Sequence, residues 1–318
     1  MTLTLPSFAA PAALLTTLAL VACGGGSEGG VSGTAGPNVP AMGARLSVGT
    51  GNYETVAVDA VYSAAQFASQ ASMTTLVGAL SSGTVLCAGG GSVDVKLGAG
   101  SNGRLDQALE NATLVFDGCV QSGYVFNGKL VLGLNAAPTG SVASGSYAVD
   151  ATLLMTNFSA DDGQIRLVAN GLLGLTSTRT AAGTGRDQVD TSALALSVTP
   201  SGGSSASYVL HGYSAELVLS AGALSATYRG SLTSSRLGNR SVDFSTTTPF
   251  TTAAGATFPS AGVAIAIGSN NSKATLTVLD ATRVRLDVDT TGDGSVESTV
   301  PCTWASIAVG DRCVVPAP

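Results

Sequence analysis

The chain has 318 residues, of which 45% are apolar, 5% aromatic and only 11% charged. Its 14 Lys and Arg against 20 Asp and Glu give a formal net charge of −6, which excludes nucleic-acid binding driven by the overall field of the protein. A single His and a single Trp leave little room for His-based catalysis or a His-rich metal site. The length suffices for a sizeable core in one large domain or two smaller ones.

The first 22 residues carry no charged side chain, and most of the run from Phe8 to Val21 is apolar. This run is shorter than the roughly 20 apolar residues that a membrane-spanning helix needs. It has the length of the apolar core of a secretory signal, although the basic residues typical of such a signal are missing and the first one is Arg45. Residues 1–22 are therefore predicted to be a signal peptide.

The signal ends in Leu20-Val21-Ala22-Cys23, followed by Gly24-Gly25-Gly26-Ser27. This segment resembles the lipobox of bacterial lipoproteins, and the chain resembles the uncharacterised β-rich lipoproteins of Gram-negative bacteria. The resemblance implies that Cys23 becomes the mature N-terminus and carries acyl chains such as palmitate. Gly24 after the Cys implies sorting to the outer membrane, with the protein facing the periplasm or the cell surface. The alternative is an ordinary secretory leader with an incidental Cys.

Residues 23–44 are rich in Gly, Ser and Pro and contain no hydrophobic periodicity, which predicts a flexible tether. The remaining residues, 45–318, are predicted to form one β-rich domain. The polar, Gly-containing stretch from Thr176 to Thr191 is the one candidate for an internal boundary. Strand patterns of the same composition continue on both sides of it, so it is interpreted as a long hairpin loop.

Four cysteines remain besides Cys23: Cys87, Cys119, Cys302 and Cys313. Export would place them in an oxidising compartment, where an even number favours disulfides. Four cysteines allow three pairings, and we favour Cys87 with Cys119 and Cys302 with Cys313 because the two pairs lie in separate parts of the chain. A metal site is the competing interpretation, but the chain has no Cys-x-x-Cys and no His near these residues.

One substantial helix is predicted, over residues 53–80. Asn52 is a suitable N-cap, Glu54 lies in the first turn and Gly83 follows the end. The polar residues form one narrow stripe, made up of Asp59, Ser63, Gln66 and Gln70. Nearly all other positions are apolar or small, so the helix is expected to be largely buried, against the alternative of an Ala-rich surface helix.

From about Thr84 onward the hydrophobic period changes to two, with turn signals between the strands. These signals include Asp117-Gly118, Asn127-Gly128, Asp161-Asp162-Gly163 and Ser201-Gly202-Gly203. Strands such as Lys273–Val278 alternate apolar with Thr or Lys side chains, which is typical of a sheet with one covered face. The predicted fold is mainly β: a large curled antiparallel sheet or barrel-like meander of about a dozen strands, packed on the N-terminal helix. A β-sandwich is the alternative.

The acidic turn near the C-terminus is the best candidate site. Asp289, Thr291 and Asp293 occupy positions 1, 3 and 5 of a sequence that begins like an EF-hand calcium loop, with Glu297 as a further candidate ligand. Position 12 is Val300 instead of Glu, and the flanks have strand patterns. The interpretations are therefore a Ca²⁺ site and a Gly-tipped hairpin whose Asp side chains cap the turn.

No motif identifies an enzyme. The sole imidazole, His211, is interpreted as an ordinary strand residue, and no nucleophile elbow is present in a strand-to-helix context. The leading hypothesis is a non-enzymatic, membrane-anchored β-protein with a binding or structural role in the envelope, with an apolar ligand such as a lipid on the concave face. The second hypothesis is a hydrolase of envelope polymers. Protein partners are not predicted.

Overall fold

A computed structural model describes residues 39–62, 82–121, 123–141, 144–220, 222–309 and 313. Fifteen strands form a single antiparallel sheet. In chain order they are β1 Gly83–Leu86, β2 Ser92–Leu97, β3 Asn111–Gln121, β4 Tyr124–Leu134, β5 Thr139–Ser141, β6 Ser146–Asp161, β7 Ile165–Arg179, β8 Gly185–Pro200, β9 Ala206–Ser220, β10 Ala223–Ser234, β11 Arg240–Thr252, β12 Ala261–Ile267, β13 Lys273–Val278, β14 Arg283–Asp289 and β15 Ser298–Thr303. The fold prediction of one large curled sheet is confirmed, and the sandwich alternative is wrong.

The strands follow one another across the sheet in chain order, from β1 at one edge to β15 at the other. The short strand β5 is the exception, since it lies off this path and pairs with β6. A meander of this kind needs no helical crossovers, because antiparallel neighbours are joined by hairpins. The central strands are long, up to 16 residues in β6 and β8, so they extend well beyond the usual strand length of roughly 5–6 residues.

The two faces of the sheet differ in polarity, as the alternation of the sequence predicts. Lys273–Val278 illustrates this, since its Ala, Leu and Val are buried and the residues between them are partly exposed. The buried apolar side chains of most strands join the N-terminal helix in one apolar core, and we call the face of the sheet that contributes to it the inner face. The opposite surface, rich in Ser, Thr and charged residues, is called the outer face.

The N-terminal helix begins as predicted, and its described part is short. An α-helical turn, α1, covers Tyr53–Val56 and continues as π-helix over Ala57–Tyr62. Asn52 occupies the N-cap position, but its side chain accepts from the amide of Gly49 (2.9 Å) instead of capping the helix. The helical turns pack on β10 to β13 at the inner face. The rest of the predicted helix, 63–80, lies outside the described residues.

The segment before α1 passes over one end of the sheet. The amide of Leu46 donates to the carbonyl of Ser241 (2.8 Å), and the Leu46 carbonyl accepts from the amide of Ser269 (2.7 Å). Further along, the amide of Val48 donates to the hydroxyl of Ser272 (2.9 Å). Hydrogen bonds to the sheet begin at Gly43, whose amide donates to Thr233 Oγ1 (3.1 Å), two residues before the predicted start of the domain.

Two of the predicted turns are bulges inside strands. Asp117-Gly118 lies within β3 and Asn127-Gly128 within β4, and the register shifts at both. The hairpin that joins these strands pairs Gln121 with Tyr124, beyond both predicted turns. The Asp-Gly and Asn-Gly pairs were interpreted as turns because a bulge and a tight turn both use Gly with positive φ. Gly118 and Gly128 have φ of 56° and 93°.

Gly128→Ala is expected to destabilise the protein by more than ~3 kcal/mol, through backbone strain and a steric clash. A Cβ at this position would lie 2.1 Å from the carbonyl oxygen of Asn157 on the neighbouring strand. Gly163→Ala is the matched control, since Gly163 has a φ of 82° but no atom within 4 Å of its Cβ position. Chemical denaturation would measure both variants, and equal losses would contradict the clash.

The polar stretch from Thr176 to Thr191 is a hairpin, but the predicted long loop is wrong in extent. β7 continues to Arg179 and β8 begins at Gly185, so the turn covers residues 180–184. The inward side chains of this hairpin are tied together: Arg179 forms two hydrogen bonds to the carboxylate of Asp187 (2.8 and 2.5 Å), and Ser177 donates to the same carboxylate (2.5 Å). Polar residues in this stretch are paired inside the sheet, which is why composition alone suggested a loop.

Candidate functional site

The acidic turn joins β14 to β15 and brings three of its predicted ligands together. One carboxylate oxygen from each of Asp289, Asp293 and Glu297 lies within 4.8 Å of the other two. Thr291 Oγ1, the fourth predicted ligand, donates to Glu297 Oε1 (3.0 Å). The flanking strands are confirmed, and the helices of an EF-hand are replaced by a β-hairpin.

Asp289 is buried, and both of its oxygens already have donors. Oδ1 accepts from the amide of Gly292 (2.6 Å), and Oδ2 accepts from the amide of Gly294 (2.9 Å). The ammonium of Lys273 lies 3.2 Å from Oδ2. Burial alone would raise the pKa of Asp289, but these hydrogen bonds and the Lys273 charge together outweigh burial and lower it. This geometry favours the interpretation that Asp289 caps the turn.

Calcium is expected to leave the melting temperature unchanged, because Lys273 supplies the positive charge that Asp289 would otherwise take from a cation. Differential scanning calorimetry with and without CaCl₂ measures this directly, with MgCl₂ at the same ionic strength as the control. A saturable rise that is specific to calcium and disappears in Glu297→Gln would restore the metal interpretation.

A second polar cluster lies at the inner face, between the helix and the sheet. Asp59 is 1% exposed and accepts from Arg236 Nη1 (2.8 Å) and from Ser234 Oγ (2.6 Å). Burial raises the pKa of Asp59 to about 6, and the charge of Arg236 and the Ser234 hydrogen bond partly oppose that rise. These contacts attach the helix to the turn between β10 and β11, which is the 3-10 segment Ser235–Leu237.

The sequence placed Asp59 on a polar stripe of the helix but did not indicate its partner. Arg236 lies 177 residues further along the chain. Because ionised carboxylates are almost never buried without a partner, an acid beyond the first turn of a helix expected to be largely buried was the available signal. That signal predicts a basic partner without identifying which Arg supplies it.

His211 lies on the outer face, in a cluster that the sequence did not predict. Strand register places His211 of β9 opposite Ser231 of β10, and Ser231 opposite Asp243 of β11. Ser231 Oγ donates to Asp243 Oδ1 (2.6 Å), while burial lowers the pKa of His211. In a nucleophilic triad the imidazole stands between the serine and the acid. Here the serine stands between the other two, so these three residues do not form one.

Both predicted disulfides are confirmed. Cys87 bonds to Cys119 and Cys302 bonds to Cys313. The first links the end of β1 to β3, and the second joins β15 to the chain beyond the C-terminal helix α2, Trp304–Val309. Trp304, two residues after Cys302, has its ring stacked on Phe258 at 5.8 Å, and its indole N–H donates to the carbonyl of Pro259.

No protein-family model, no curated protein and no solved structure matches the chain. The fold alone therefore defines the class: a β-protein with two disulfides, built on one large antiparallel sheet that packs on an N-terminal helix. Within the part of the chain that the structure describes, every helix is too short or too polar to cross a membrane. Cys23 and the predicted signal peptide and most of the tether lie outside the described residues.

Proposed function

We propose that the chain is an exported lipoprotein, anchored to the outer membrane through acyl chains on Cys23, with a non-enzymatic binding or structural role in the envelope. The observation that carries the proposal is the pairing of cysteines. Of the five in the chain, four are joined in two disulfides, and the one left over is Cys23 of the lipobox. Stable disulfides are typical of compartments outside the cytosol.

The contacts at the start of the described chain suggest which face of the β-rich domain lies nearest the lipid anchor. Pro40 and Ala41 line a depression of about 300 Å³ on the outer face, together with Val168 and Val209. Val209 is buried although it points outward, and it lines the same depression as Pro40 and Ala41. In our proposal the tether meets the β-rich domain at the outer face of β7 to β9. This face is then the one nearest the anchor.

The ligand that best suits such a role is apolar, a lipid above all, held at the inner face beside the helix. Apart from the polar groups around Asp59 and Asp187, the described side chains buried at this face are mostly aliphatic or aromatic and form one continuous core. Ligand pockets are lined mainly by side chains of this kind.

The anchor is tested by fractionation of Gram-negative cells that express the whole chain. Membrane association is expected for the wild-type protein and for Ser27→Ala, a conservative change in the predicted tether. Cys23→Ala is expected to leave the precursor unprocessed, and globomycin, which inhibits lipoprotein signal peptidase, should do the same to the wild-type chain. Normal processing in the presence of globomycin, or cleavage of Cys23→Ala at the wild-type site, would refute the proposal.

A further inference from the structure

Six polar side chains form two adjacent rows on the outer face. The register places His211, Ser231 and Asp243 in one row across β9, β10 and β11. The second row consists of Ser214, Arg229 and Ser245 on the same three strands. Residues directly opposite one another in an antiparallel pair lie on the same face, so each row brings its three side chains together.

A bulge lies between the two rows. From one row to the next, β9 advances from His211 to Ser214 while β10 advances from Ser231 to Arg229, so β9 contains one extra residue. Bulges bend a strand and redirect its side chains, and they occur often beside functional sites. At this bulge the outer face has a depression of about 370 Å³, lined by His211, Arg229, Ser231, Asp243, Ser245 and Ile267.

The charges around the depression leave one cation without a partner. Asp243 is already neutralised, since it forms an ion pair with Arg45 and accepts the Ser231 hydroxyl. Arg229 is exposed and makes no ion pair or side-chain hydrogen bond with any described residue. Among the residues that line the depression, the guanidinium of Arg229 is therefore the one charge left uncompensated. A further acid, Asp190 of β8, lies opposite Ser214 and outside the lining.

The neighbours of Arg229 are hydrogen-bonding groups that are also unused. Ser214 and Ser245 form no side-chain hydrogen bond within the described residues. His211 Nε2 is buried and has no hydrogen-bond partner. An unpaired buried polar atom is costly in a folded protein and calls for an explanation. A free guanidinium between two hydroxyls is a set of donors suited to a carboxylate or phosphate, and the ring of His211 lies beside it.

We propose that this depression, lined by His211, Arg229, Ser231 and Ser245 and flanked by Ser214, binds an oxyanion group, a phosphate or a carboxylate, of a ligand outside the chain. Arg229 supplies the charge and the two flanking serines supply neutral hydrogen bonds. Asp243 lines the depression, and its ion pair with Arg45 keeps the carboxylate from repelling the anion. The site is separate from the proposed lipid anchor and does not depend on it.

The single histidine makes the site directly observable, because its ring Hε1 proton gives the one NMR signal of that kind in the whole protein. Inorganic phosphate and acetate are titrated separately into the folded, disulfide-bonded protein, with NaCl at matched ionic strength as the blank. A saturable shift of the His211 signal is expected with at least one of the two anions. A shift with phosphate alone would assign a phosphate ligand, and a shift with both would assign oxyanions in general.

Arg229→Ala is expected to weaken the apparent affinity about tenfold or more, because it removes the charged donor. Arg166→Ala is the matched control, since Arg166 is also exposed but lies on β7, three strands away. Its affinity should equal that of the wild-type protein, and both variants should keep the wild-type melting temperature. No saturable shift with either anion, or equal weakening in both variants, would overturn the proposal.

Discussion

Arg236→Met is expected to destabilise the protein by about 3–5 kcal/mol at neutral pH, the usual cost of leaving one partner of a buried ion pair unpaired. Asp59 is 1% exposed and has Arg236 and Ser234 as its two partners. Without the guanidinium, its carboxylate would have to stay ionised in an apolar core or take up a proton. The loss is measured by urea denaturation at pH about 7.

The pKa of Asp59 determines how the stability cost of Arg236→Met depends on pH. The folded-state pKa of Asp59 is about 6, above its ordinary value of 3.8, so the folded protein favours the protonated carboxyl. The stability that protonation supplies is fully present below the ordinary value and is lost as the pH rises through about 6. Arg236→Met should therefore cost much less near pH 4 than at neutral pH.

The double variant Asp59→Asn with Arg236→Met is the control for this effect. It removes both charges, so it should recover much of the stability lost in Arg236→Met and lose the pH dependence that Asp59 causes. A loss in Arg236→Met that is the same at both pH values would show that Asp59 is not the group responsible.

Removing the disulfide Cys87–Cys119 by a double Ala substitution is expected to cost about 4 kcal/mol, and removing Cys302–Cys313 about 3 kcal/mol. The difference follows from loop length, since the two bridges span sequence separations of 32 and 11 residues. A longer loop loses more entropy in the unfolded chain when it is closed. Denaturation of the two double variants measures both values, with Cys23→Ala as a control that retains both bridges.

Reduction of the wild-type protein should reproduce the combined loss of the two double variants. Free thiols at all four positions in protein isolated from its host, or unchanged stability after reduction, would contradict the pairing.

The fold could be predicted from the sequence because the patterns that indicate strands lie within short stretches of the chain. Alternation of the kind seen in Lys273–Val278 reports directly which side chains are buried, and the absence of further long helical patterns excluded parallel crossovers. Asp117-Gly118 and Asn127-Gly128 misled because bulges and turns have the same backbone requirement. The extent of the hairpin after β7 was missed for a related reason: Ser177 and Asp187 are polar, yet both are buried.

The clusters of the candidate sites were harder to predict because they depend on long-range register. Asp289, Asp293 and Glu297 are near one another in sequence and were found, whereas Lys273, which neutralises Asp289, belongs to the neighbouring strand. His211 was noted as an isolated residue. Its proximity to Ser231 depends on the pairing of β9 with β10, and a shift of one residue would send its side chain to the opposite face.

The mass of the mature N-terminal peptide tests the proposed anchor most directly. The first basic residue is Arg45, so trypsin would release residues 23–45 as a single peptide from a processed chain. We predict a peptide that begins at Cys23 and carries the mass of several acyl chains. A peptide that begins elsewhere, or one that contains an unmodified Cys23, would contradict the lipoprotein assignment.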